Sequence, residues 1–292
     1  MSIFRGSCVA LVTPFTKTGV DFDKLKDLIE WHIENGTDSI LVCGTTGEAT
    51  TMSLEEKKEV IKLTVKSVNG RVPVIAGTGT NDTKASIDMS IFAENAGVDG
   101  LLVITPYYNK TSQKGLVAHF KAINDAVKTP IILYNVPSRT NMNISPDMLK
   151  KLSVLNNVVA IKEASGDFSQ IVKMRALCPD IDIYSGNDDQ IVPLLALGGI
   201  GVISVLANIL PKETHDMCQF YLDGKVNESR DLQLQYLDVI ENLFIETNPI
   251  PVKTAMKLIS KDCGDLRLPL CDMEDSNFDK LKDALNKQNL LK

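Results

Sequence analysis

The chain has 292 residues, 44% apolar and 23% charged, which is enough for one large core or two smaller ones and argues against disorder. A net charge of −6 and a pI near 5.2, with no basic stripe, argue against nucleic acid as a partner. Anionic small molecules are not excluded, because local cations or amide dipoles can hold them.

Apolar runs at 7–13, 39–43, 72–76, 100–104, 131–134, 158–162, 181–184 and 201–205 predict strands. Amphipathic helical patterns alternate with them, among them 23–34, 54–68, 83–95, 114–127 and 146–152. Most of the strand runs are continuously apolar, as expected of parallel strands covered on both faces. Parallel neighbours require crossovers, normally helices. Eight such units predict a closed (β/α)8 TIM barrel. An open doubly wound sheet is the runner-up. It often places a glycine-rich turn after its first strand, whereas here that strand ends in Thr13-Pro14-Phe15. Gly77-Thr78-Gly79 lacks the third glycine of a dinucleotide fingerprint. A faint echo between 34–42 and 94–103, each with a glycine ending a helix shortly before a strand, fits modular βα units.

Beyond about residue 225 the strand signal stops, and 227–245, 250–259 and 278–290 read as helices. We divide the chain into a barrel, 1–224, and a C-terminal helical extension, 225–292, packed on it. The plain role of the extension is to cover barrel surface or to build a contact between copies. Residues 190–211 carry no charge and are long enough to span a bilayer. However, Gly198-Gly199-Ile200-Gly201 interrupts them, and Pro193 and Asn208 suit lipid poorly. A buried helix, a glycine turn and a buried strand are expected instead. The apolar stretch 8–12 is too short for a signal peptide. The six cysteines form no C-x-x-C pair, and His32, His119 and His215 have no ligand-spaced Cys or His. The expectation is a reduced, cytoplasmic protein without disulfide or zinc.

The most telling residue is Lys162, in the run Val158-Val159-Ala160-Ile161-Lys162-Glu163. Burying an ammonium ion is expensive, so such a lysine is either paired or partly neutral. A partly neutral lysine is a nucleophile suited to imine formation with a carbonyl compound. Pairing with Glu163 or Asp167 is the plain alternative, although adjacent strand residues face opposite ways. Barrel enzymes carry their sites at the carboxyl ends of the strands. There stand Gly44-Thr45-Thr46-Gly47-Glu48, Tyr107-Tyr108, Tyr134-Asn135-Val136-Pro137-Ser138-Arg139, Lys162, Ser185-Gly186-Asn187-Asp188-Asp189 and Ser204. The Gly-Thr-Thr-Gly turn lacks the length and lysine of a nucleotide loop. It is either an ordinary turn or a cradle of N–H and hydroxyl groups for a carboxylate. Tyr107-Tyr108 suit loop packing or a subunit contact equally well. Arg139 suits a surface ion pair or a bidentate carboxylate clamp.

Gly44-Thr45-Thr46-Gly47-Glu48, Tyr134 to Arg139 and Ile161-Lys162-Glu163, in this order, resemble the pyruvate-dependent class I aldolase family, which includes the N-acetylneuraminate lyases. The resemblance covers essentially the whole chain. It implies a lyase in which Lys162 forms a Schiff base with pyruvate and Tyr134 is the general acid/base. Thr45 would relay protons between Tyr134 and Tyr108. Tyr108 would reach into a neighbouring subunit's site, since members are commonly homotetramers built from tight dimers. Thr46 would hold the pyruvate carboxylate, and Gly186 and Ile203 would line the pocket through their backbone. Arg139 would bind the carboxylate of the second substrate. It marks the branch that uses L-aspartate 4-semialdehyde, in the first committed step of diaminopimelate and lysine biosynthesis. Cleavage of N-acetylneuraminate or a 2-keto-3-deoxy sugar acid is the alternative, disfavoured because sialic acid lyases typically lack that arginine. A barrel that only binds is disfavoured by the complete set of Thr45, Tyr108, Tyr134, Arg139 and Lys162. The resemblance implies no metal or organic cofactor. Members inhibited by lysine use an acidic residue and polar neighbours near the dimer interface. Asn81 and Tyr107 match that pattern, but Ala85, Ala49, Leu54 and Lys57 depart from it, which implies weak or absent feedback by lysine.

Overall fold

The computed structural model describes residues 2–291. Eight parallel strands close into a barrel. They are β1 (Gly6–Ala10), β2 (Ser39–Val42), β3 (Val74–Gly77), β4 (Gly100–Ile104), β5 (Ile131–Asn135), β6 (Val158–Glu163), β7 (Asp182–Ser185) and β8 (Gly201–Ser204). Closure is made by β1, which pairs with both β2 and β8. This is the (β/α)8 barrel that the apolar runs predict. Both strand faces are apolar for a visible reason. Cys8, Leu41, Ile132, Tyr134, Ala160 and Ile203 belong to an interior cluster, whereas Val9, Ile40, Leu133, Ile161 and Val202 pack beneath the helices.

Helices Phe22–Glu34, Leu54–Val68, Thr83–Ala96 and Gln113–Ala126 each start on a side-chain cap. Asp21, Ser53, Asp82 and Ser112 accept from backbone N–H groups of the first turn, and Ser53 with Glu56 completes a capping box. The uncharged segment 190–211 resolves into helix Ile191–Ala196, a turn and β8, as expected. Among the described residues no helix is long and apolar enough to cross a membrane.

Two sequence expectations need correction. The first strand stops at Ala10 rather than residue 13, because the Val12 N–H donates to Asn208 Oδ1 at 3.1 Å and leaves the ladder. The next residues instead form a small hairpin, Phe15–Thr16 with Gly19–Val20. The helix expected over 227–245 is two, Val226–Gln235 and Leu237–Asn242, separated at Tyr236. Apolar spacing does not register that one-residue tightening, since Tyr236, Val239 and Ile240 are all buried.

The amino end of the barrel is closed. The Phe4 ring stacks on Tyr184 with 4.2 Å between centroids, and the Tyr184 hydroxyl donates to the Phe4 carbonyl at 2.8 Å. Beside this plug, Asp38 Oδ2 accepts from the Ser7 N–H at 2.7 Å and lies 2.8 Å from His215 Nδ1. The Asp38 bond raises the His215 imidazole above its ordinary range.

Candidate active site

Lys162 stands at the carboxyl end of β6, facing into the barrel and only 6% exposed. Its Nζ lies 4.5 Å from the centre of the Tyr134 ring. The two residues are register partners across β5 and β6, and the next pair is Asn135 with Glu163. One rung therefore carries amine and phenol inward, while the following rung carries amide and carboxylate outward. Glu163 Oε2 accepts from Asn135 Nδ2 at 2.9 Å, and Oε1 accepts from the Ser165 N–H at 2.6 Å. Burial raises the Glu163 carboxyl against these bonds. Asp167 caps helix Phe168–Leu177 by accepting from the Gln170 N–H at 3.0 Å. Both residues weighed as partners for Lys162 are thus committed elsewhere, and among the described residues Lys162 makes no ion pair.

A cavity of about 160 Å³ opens over the amine. Six residues singled out in the sequence line it: Thr45, Thr46, Tyr134, Arg139, Lys162 and Gly186. Ile203 is fully buried in the interior cluster that also holds Tyr134. Tyr108 is not brought in. It is 94% exposed, in left-handed backbone at φ 66°, and lies outside the cavity wall. Tyr107 comes nearer, lining a second cavity of about 100 Å³ that shares Thr45 and Tyr134 with the first. A neighbouring cleft holds Ala49, Lys57 and Tyr107, three of the residues compared with the lysine-binding pattern.

Glycine at 186 is a packing requirement. A Cβ there would lie 2.7 Å from Ala164 Cβ and 3.1 Å from Lys162 Cε. Asn135 anchors the Arg139 loop from outside, its Oδ1 accepting from the Ile144 N–H at 2.8 Å. Asp188 is 1% exposed and its Oδ2 accepts from the Val205 and Leu206 N–H groups at 3.0 and 2.9 Å. Burial raises its carboxyl, and the Lys162 charge opposes that rise.

The sequence reading missed Val205, Phe244 and Asn248, which also line the cavity, and placed Asn187 at a strand end without a role. Phe244 and Asn248 come from the extension assigned to surface cover or a contact between copies. Asn248 Nδ2 donates to Thr46 Oγ1 at 2.9 Å, and its carbonyl accepts from Arg139 Nη2 at 3.1 Å. The same extension supplies Lys253, 4% exposed, whose Nζ lies 2.8 Å from Glu48 Oε1. A lysine inside the apolar segment 250–256 was a legible signal for that contact, the same kind that singled out Lys162. The six cysteines are free and five are buried. No group of three or more His, Cys, Asp or Glu able to hold a metal occurs among the described residues.

An unpaired amine beside a phenol, under a wall of hydroxyl and guanidinium donors, is equipped to condense with a keto acid. Fold and site define a barrel lyase. The chain belongs to the dihydrodipicolinate synthetase family, whose model matches residues 3–288. It is 68% identical over 291 residues to 4-hydroxy-tetrahydrodipicolinate synthase of Clostridium perfringens, covering 99% of this chain and 100% of the relative. Dihydrodipicolinate synthase from Aquifex aeolicus superposes with a TM-score of 0.96 at 45% identity, covering 99% of this chain and 100% of that one. The chloride-inhibited enzyme from Acinetobacter baumannii, complexed with pyruvate, gives 0.95 at 42% identity, covering 98% and 99%.

Proposed function

We propose that the chain condenses pyruvate with L-aspartate 4-semialdehyde through an imine on Lys162, yielding 4-hydroxy-tetrahydrodipicolinate for diaminopimelate and lysine synthesis. The observation that carries this is the amine itself, buried, unpaired and facing Tyr134 under a cavity lined by carboxylate-binding groups. Lys162 Nζ attacks the keto carbon and water leaves, so the iminium becomes an electron sink. Loss of a methyl proton gives an enamine whose carbon attacks the aldehyde. The semialdehyde's amino group then displaces Lys162 and closes the ring. Each step moves a proton, and a phenol facing the amine can give and take it. Tyr134 carries these protons, with Thr45 beside it in the wall between the two cavities.

In this reading Thr46 holds the pyruvate carboxylate, Arg139 holds that of the semialdehyde, and Gly186 and Ile203 shape the pocket. The Acinetobacter baumannii relative, complexed with pyruvate, supports the first substrate. The small cavity and Arg139 favour the semialdehyde over a bulky sugar acid. Tyr108, nearly fully exposed, suits insertion into a second copy, and a homotetramer built from tight dimers accommodates it. The enzyme works in the cytoplasm, a setting that suits its free cysteines, and needs no metal or organic cofactor.

The test is borohydride reduction in the presence of pyruvate. A reduced pyruvyl group should appear on Lys162 as activity disappears, and Lys162→Ala should take up none. Absence of the adduct from the unsubstituted enzyme would sink the reading.

A further inference from the structure

We propose that the Asn248 side chain is a positioning group that aims the Thr46 donor at the pyruvate carboxylate; this rests on the role given to Thr46 above. An asparagine NH2 group can only donate. Because Asn248 Nδ2 donates to Thr46 Oγ1 at 2.9 Å, that oxygen is the acceptor and its own proton must point elsewhere. Thr46 is 3% exposed and lines the cavity, so the cavity is where the proton is free to go. A hydroxyl fixed in this way is a donor set in advance for a carboxylate, with no rotor left to order when the ligand arrives.

The other end of the residue acts on Arg139. The Asn248 main-chain carbonyl accepts one N–H of the guanidinium at 3.1 Å, which restrains an otherwise exposed side chain at the mouth and leaves its other donors free. One residue of the extension thus touches both anion-binding groups of the barrel. It does so while its own Oδ1 is buried without a partner. Buried polar atoms are rarely left unsatisfied, so a side chain held in that condition is placed for what its other atoms do.

The experiment is a double-mutant cycle on the full-length protein. Pyruvate affinity is read by calorimetry and semialdehyde efficiency as kcat/KM at saturating pyruvate. Asn248→Ala removes the donor to Thr46 and leaves the main-chain carbonyl on Arg139, so it should weaken pyruvate binding by roughly 10-fold and lower semialdehyde kcat/KM far less. Added to Thr46→Val it should weaken pyruvate binding no further. Full additivity in the cycle, an unchanged pyruvate affinity, or an equal loss for both substrates overturns the proposal. If Asn248→Ala does not fold, the isosteric Asn248→Asp takes its place, because its carboxylate accepts the Thr46 proton and turns it from the ligand. Its effect on pyruvate should then vanish in the Thr46→Val background. An effect that persists there is charge repulsion alone and also overturns the proposal. The lysine–imine reading fails separately, through a missing borohydride adduct in the unsubstituted enzyme.

Discussion

Lys162 and Lys253 present the same problem and receive opposite answers. Both are almost fully buried, at 6% and 4% exposure. Lys253 has an ion pair with Glu48 at 2.8 Å, and it donates to the carbonyls of Thr13 at 3.2 Å and Asp265 at 3.0 Å. All three donors of its ammonium are used, and its charge is fixed where it fastens the extension to the turn bearing Thr45 and Thr46. Lys162 has an aromatic face and an open cavity instead. A buried amine that is satisfied is structural, and one that is left unsatisfied beside a cavity is reactive. His32 shows a third answer. It is fully buried, its Nδ1 lies 3.1 Å from Thr37 Oγ1, and its Nε2 has no partner. Burial pushes its pKa down to about 3, so the fold holds it neutral.

Substitutions should pull these three apart. Lys162→Met should lower turnover by about 10⁴-fold or more while leaving Tm unchanged or raised, because it removes an uncompensated amine. A marked loss of stability would erase the contrast with Lys253. Lys253→Met strands Glu48 in the interior and should cost about 3–5 kcal/mol in denaturant unfolding, with activity per folded molecule within a few-fold of the parent. Gly186→Ala presses a methyl group against Lys162 Cε. We expect about 1–3 kcal/mol of destabilisation and, from the displaced amine, roughly 10²-fold in turnover. If activity survives intact, the placement of Lys162 is less critical than this geometry indicates. The effect at His32 is absent at neutral pH and appears only in acid. Its pKa in the fold lies below the ordinary 6.5, so acid protonates the unfolded chain first and stability falls as pH drops from 6.5 to about 3. In His32→Gln the slope of stability against pH over that window should shrink by up to about 1.4 kcal/mol per pH unit.

The barrel was legible because each strand is a short apolar run between helical patterns, and caps such as Ser53 with Glu56 mark the helix starts. Lys162 was legible because a cation interrupts one of those runs. Thr45, Thr46, Tyr134 and Arg139 were legible as polar residues where apolar strands end. The roles of Asn135 and Glu163 were not, because strand alternation puts them on the face opposite Tyr134 and Lys162 but does not show the hydrogen bond that joins them across β5 and β6. Asn248 and Phe244 were hidden for another reason. Phe244 lies in a helical pattern and Asn248 in the link between two, and both reach the cavity only through tertiary packing. Tyr108 was expected to reach a neighbouring copy's site, and a single chain leaves it in solvent.

The plug formed by Phe4 and Tyr184 has a directional consequence. With the base of the cylinder shut, the reacting nitrogen can be approached from one side only. Whichever molecule bonds to it first becomes the floor on which the next one lands. In the imine reading proposed above, a chamber open at one end needs no gate to keep pyruvate beneath the second reactant.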